Sequence, residues 1–239
     1  MPEAFSASRA SRLLQCHASA NLDLAIPNWT PPVQDPTVDN AANRGTNLHS
    51  LFAEVMDLNA GDLEKISKAI AYVAEVRKTR RFKRLIEETV EAGWLPSKPK
   101  TTADLVLYLT DELHIFDLKT GKIPVSPVDN AQLMFYAVCY GHLAPNAKGV
   151  HLHIVQPWAD VMEVWFVDTA TLAQFMSDVI AADAAITAGS TKFSPGDNCQ
   201  FCPANPHGRG LKGNPLCPTM LDLLYPRVVD VAAILKEEV

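Results

Sequence analysis

No apolar run in this chain reaches the roughly 18 residues that a membrane-spanning helix needs, which excludes a bundle of such helices. The opening MPEAFSASRA lacks the basic and apolar blocks of a secretory signal, so a cytoplasmic protein is expected. Cysteine is sparse and odd in number. Cys16, Cys139, Cys199, Cys202 and Cys217 are too few for a disulfide-stapled secreted scaffold, and in a reducing compartment clustered cysteines more often bind metal. There is no basic excess either, because 21 Lys and Arg stand against 27 Asp and Glu, and a net charge of −6 argues against coating nucleic acid through an overall field. No internal repeat or low-complexity tract is present. With 48% hydrophobic and 20% charged residues in 239, the chain is an ordinary globular protein of one large or two small domains, not a disordered one.

One segment departs from that acidic average. Arg77, Lys78, Arg80, Arg81, Lys83 and Arg84 place six cations in eight residues, leaving 15 cations against 27 acids elsewhere. The segment reads as part of a helix over 62–85, and such a density of like charge points to an anionic partner with phosphate-like groups. The competing reading is a solvated face balanced by Glu75, Glu87 and Glu88.

Periodicity divides the rest. Ser6 or Ser8 can cap a short helix over 9–17, and the prolines at 27, 31, 32 and 36 make 21–36 a loop. Apolar spacing predicts a helix over 43–58 with His49 near its start. Alternating runs over 88–94, 101–109 and 113–118 read as an antiparallel meander, 130–140 as a helix, 148–155 and 161–167 as a further strand pair, and 168–188 as a helix capped by Asp168. The expected fold is α/β, a central mixed β-sheet flanked by helices, with a helical N-terminal part (1–90), a core (87–190) and a Cys-rich tail (191–239) in one integrated domain.

Within the meander, Asp117-Leu118-Lys119 puts an anion and a cation on one face of a strand, with Leu118 turned into the core. Pairing of 101–109 with 113–118 brings Asp104 to the same place. Two convergent carboxylates suit a hard divalent ion, Mg2+ or Mn2+, and an adjacent lysine can orient or deprotonate a water. A bare Asp-x-Lys is most often a surface ion pair, so context decides. Gln132 and Tyr136 lie four apart on the following helix, and Gly45 precedes His49 by four residues.

In this order and spacing the chain resembles the PD-(D/E)XK nuclease superfamily, in its RecB-like branch, which includes CRISPR-associated RecB-like and phage recombination exonucleases. The resemblance spans about residues 6–217. It implies a restriction-endonuclease-like core and a metal-dependent DNA nuclease, an exonuclease of recombination, replication or repair. It further implies that His49, Asp104, Asp117 and the Leu118 carbonyl ligate Mg2+ or Mn2+, that Lys119 is catalytic, and that Gln132 and Tyr136 position phosphate or water. Ala103 stands where that family commonly has proline.

Members of that branch with an iron-sulfur cluster carry one cysteine before the nuclease core and three after it, the arrangement of Cys16, Cys199, Cys202 and Cys217. A 4Fe-4S cluster is the implied cofactor. The Cys202 to Cys217 interval is longer than usual in that family, and zinc held by the four cysteines, or by three with His207, is the alternative. Cys139 reads as a buried apolar residue. The implied partners are DNA with a free end and a helicase or recombinase; the competing functions are a catalytically idle nucleic-acid-binding or recombination-partner protein and a zinc-stabilised interaction module.

Overall fold

The structure, a computed structural model, describes residues 5–26, 28–29, 60–78, 80–109, 111–196, 198–199, 202–205 and 217–219. The expected helix over 43–58, with His49, and the alternative ligand His207 lie outside these residues. Among the described residues, no helix is long and apolar enough to cross a membrane.

Five strands form one mixed sheet in the order β1-β2-β3-β4-β5: β1 (Lys83–Glu91), β2 (Lys100–Leu109), β3 (Glu112–Leu118), β4 (Gly149–Gln156) and β5 (Val161–Asp168). The first three pair antiparallel as a meander. Leu109 pairs with Glu112, so a two-residue turn suffices between β2 and β3. The β3–β4 pair is parallel, which requires a crossover, and α4 (Ala131–Tyr140) supplies it. β4 and β5 close the sheet antiparallel. This is the α/β architecture the sequence predicts.

Alternation along β3 sorts its two faces. Phe116 and Leu118 join Leu107, Leu109, Val155 and Ala69 in one apolar cluster against α3 (Ala60–Arg77), with Tyr72, Val73 and Val76 packed on it. Asp117, on the other face, meets α4. The central strand β3 is buried at every position after Glu112, whereas β1 and β5 are mostly exposed edges. Tyr140, fully buried at the end of α4, donates to the Glu88 carbonyl and accepts from the Ala103 amide, fastening α4 to β1 and β2.

Several local expectations differ from the structure. α3 ends at Arg77, because Lys78 turns into the left-handed region (φ 51°), and β1 begins at Lys83, not at residue 88. The basic segment is therefore a helix end, a connection and a strand start, since ladder pairing of Lys83 to Ile86 with Tyr108 to Leu105 outweighs the local helical pattern. Ser6 and Ser8 bond to each other, and α1 (Ala10–Gln15) begins without a side-chain cap. Within the expected loop over 21–36, Leu22–Ala25 forms a short helix, α2, held by Asn21, whose side chain donates to the Ile186 and Ser190 carbonyls. The last helix, α5 (Thr169–Thr187), is capped by Asp168 as its sequence predicts, with Oδ1 accepting from the Thr171 amide at 2.7 Å.

By compactness the chain forms two units that are not consecutive segments: residues 6–8 with 34–179, holding the sheet, and residues 1–5, 9–33 and 180–239. In the second unit, Leu22, Ile26, Ala204 and Cys217 are buried together, with Phe193 and Cys202 packed beside them.

Candidate active site

The carboxylates meet where the β2–β3 ladder stops. The last register pair is Leu105 with Phe116, and one step further Asp104 stands opposite Asp117. There the Leu118 amide donates to Asp104 Oδ2 at 2.6 Å, while the next amide, Lys119 N–H, donates to Val155 O on β4. Asp104 is thereby fixed beside the segment that carries Asp117 and Lys119.

Asn130 caps α4, its Oδ1 accepting from the amides of Gln132 and Leu133, and so sets the first turn of the helix over β3. Gln132 then bridges the site. Its Nε2 donates to Asp117 Oδ1 at 3.0 Å and to the Tyr136 hydroxyl at 3.1 Å, and its Oε1 accepts from Lys119 Nζ at 2.8 Å. Lys119 Nζ also pairs with Asp117 Oδ2 at 2.7 Å. Asp117 is only 2% exposed, so a carboxylate there requires this compensation. Burial, and then the nearby charge of Asp117 with a smaller contribution from Asp104, pushes the Tyr136 phenol well above its ordinary pKa; it stays a neutral hydroxyl.

Asp104, Asp117, Lys119, Gln132 and Tyr136 thus occupy one connected constellation. Glu87, read in the sequence only as a counter-charge to the basic segment, lies between the register pairs Ile86 with Leu105 and Glu88 with Ala103, opposite Asp104. Both line a cavity of about 210 Å3 with Phe116 and Leu118. Only the strand register reveals this third carboxylate. The all-oxygen donor set of Asp104 and Asp117 fits a hard divalent cation.

Of the basic segment, Arg80 pairs with Glu112, Lys78 with Glu75, and Arg77 lies over the Phe82 ring at 4.9 Å. Arg81, Lys83 and Arg84 are exposed, with no ion pair among the described residues.

Cys16, Cys199, Cys202 and Cys217 line one pocket of the second unit, with Leu22 and Phe193. The Gly196 amide points at Cys199 Sγ (3.4 Å), and burial pushes the Cys202 thiol up to about 11 against the opposing Ala204 amide and, more weakly, the charge of Arg12. Among the described residues, no three of these sulfurs come within 4.8 Å of one another. Cys139 is buried on α4, its thiol pushed up to about 12.

Residues 62–215, well over half of the chain, match the profile of a family described as "Protein of unknown function (DUF2800)". The chain belongs to the DUF2800 family. This DUF2800 member is also similar to solved structures. A candidate exonuclease from Eubacterium rectale aligns at 14% identity over 92% of each chain, with a TM-score of 0.48. The alkaline exonuclease from Laribacter hongkongensis aligns at 12% identity over 77% of this chain and 88% of that one, with a TM-score of 0.38. The same enzyme in complex with dAMP aligns at 13% identity over 75% and 91%, with a TM-score of 0.35.

Proposed function

We propose that this DUF2800 protein is a metal-dependent deoxyribonuclease of the PD-(D/E)XK type, in its RecB-like branch, acting as an exonuclease in recombination, replication or repair of a phage or mobile element. The observation that carries the reading is the hydrogen-bonded unit of Asp117, Lys119, Gln132 and Tyr136 beside Asp104.

Asp104 and Asp117 would hold Mg2+ or Mn2+, with the Leu118 carbonyl and His49 as the further ligands implied by family resemblance. A bound divalent ion supplies polarisation of the phosphoryl oxygen and acidifies water. Lys119 orients the attacking water and places positive charge against the phosphorane-like transition state. Gln132 and the neutral Tyr136 hydroxyl hold Lys119 and Asp117 in register, so the ammonium is directed and not merely nearby. Arg81, Lys83 and Arg84 contact backbone phosphates without reading sequence.

The pocket lined by Cys16, Cys199, Cys202 and Cys217 would hold a 4Fe-4S cluster in the same reading. Zinc held by the four thiolates is the alternative occupant.

The deciding experiment is digestion of end-labelled linear single- and double-stranded DNA by anaerobically purified protein in Mg2+ and in Mn2+. Lys119→Ala and Asp117→Ala should lose cleavage by a factor of about 10^3 or more while keeping the wild-type circular dichroism. Cleavage by either variant at the wild-type rate removes the assignment.

A further inference from the structure

A second cluster of metal-binding side chains lies on the other face of the sheet. His114 and His151 are register partners across the parallel β3–β4 pair, and Glu112 precedes His114 by two residues, so all three project to one side. Asp117, three residues after His114, faces the other way. One ligand atom from each of Glu112, His114 and His151 falls in a set whose members all lie within 4.8 Å of one another. The His114 and His151 rings stack at 4.4 Å, and His114 Nε2 is 3.2 Å from Glu112 Oε2.

We propose that Glu112, His114 and His151 form a binding site for a borderline transition-metal ion of the Zn2+ class, distinct from the carboxylate site of β2 and β3. Two imidazoles and a carboxylate are the donors such an ion takes, with a fourth position left to water. Ligand bonds of 2.0–2.2 Å in a tetrahedron bring donor atoms to about 3.3 Å of each other, so closure requires ring and carboxylate movements of about 1 Å. Exposed Glu112 and half-buried His151 give the ion a way in from solvent.

Beyond the ligands, a buried chain supports the assignment. His114 Nδ1 meets His153 Nε2 at 3.0 Å, and His153 Nδ1 meets the Tyr72 hydroxyl at 2.9 Å. The protons can run in two directions. In one, Tyr72 donates to His153, His153 to His114, and His114 Nε2–H to Glu112. In the other, His114 Nδ1–H donates to His153 Nε2, His153 Nδ1–H donates to Tyr72, and the Nε2 lone pair of His114 is left for a metal. Orientation of a ligating imidazole through its other nitrogen is how metal-binding histidines are held.

The test is titration of the full-length, anaerobically purified protein with Co2+, followed by its visible d–d absorption, and with Zn2+ in competition. The wild type should take up one Co2+ more than Glu112→Gln or His151→Gln, with a tetrahedral spectrum free of thiolate charge transfer and quenched by Zn2+. Both substitutions are outside the fully buried core, and circular dichroism checks their folding. His153→Gln should weaken Co2+ binding by about 10–100-fold without removing it. Equal Co2+ uptake by the wild type and both ligand variants, or a thiolate band accounting for all bound Co2+, overturns the proposal. Neither result depends on whether the protein cleaves DNA.

Discussion

Lys119 has two anchors, Asp117 and Gln132, and the second is itself placed by a cap two residues earlier, Asn130. Asn130→Ala removes acceptors for two amides and should lower stability by about 1 kcal/mol, read as a shift of the urea midpoint. In the proposed nuclease it should also reduce kcat more than KM, because α4's first turn carries Gln132. Tyr140→Phe is the sharper residue-scale case. It strips the buried Ala103 amide of its acceptor and the Glu88 carbonyl of its donor, and should cost about 1–3 kcal/mol without touching Lys119. A Tyr140→Phe protein with wild-type stability would mean that water replaces the hydroxyl. At this scale the carboxylate, lysine, glutamine and tyrosine residues were legible as a spaced pattern, since a strand period of two and a helix period of four state which side chains share a face. Glu87 and the histidines were not. His151-Leu-His153 shows two imidazoles on one strand face, but only the β3–β4 register brings His114 to meet them.

Elements were read well where one periodicity ran unbroken. β2 through α5 begin and end within a residue or two of the sequence reading, because alternation, turn residues and the Asn130 and Asp168 caps agree there. The misread boundary, from Arg77 to β1, is where charge density resembles a solvated helix while the edge-strand partner, β2, is remote in sequence. Edge strands bury little, so their pattern carries little signal. Two predictions belong to elements. At Gly149 an added Cβ would fall 2.2 Å from the Val167 carbonyl oxygen, a backbone atom that cannot step aside. Gly149→Ala should therefore pry β4 from β5 and lower stability by about 1–3 kcal/mol, visible as an early thermal transition. Asp168, whose carboxyl is held below its ordinary value of 3.8 chiefly by the Thr171 amide, steadies α5 in its charged form. That contribution is present above pH 3.8 and is lost as pH falls through the folded pKa. Asp168→Asn should thus flatten the stability profile at its acid end, measured by denaturant midpoints from pH 5 to 2.

For the whole molecule, four cysteines of the second unit line one pocket, beside the apolar side chains of Leu22 and Phe193. If a cluster resides there, Cys202→Ser should raise hydrogen exchange first at 12–26 and 192–205, while the β2–β3 amides stay protected. Uniform loss of protection across both units would contradict it. The sequence shows this tail to be Cys-rich, but which residues complete the pocket depends on long-range contacts that no local pattern encodes.

Those contacts also set a timetable. His17 meets Ser190, 173 residues later, and the Ala18 amide donates to the Lys192 carbonyl. During synthesis at about 5–20 residues per second, the N-terminal helix waits roughly 10–35 s for its partner to be made. The β1–β3 meander needs only near neighbours and can form meanwhile. A nascent chain whose residues up to α5 have left the ribosome while those beyond 190 have not should therefore display a protease-resistant sheet with a sensitive segment around residues 17–18, an early-made stretch being among the last to fold.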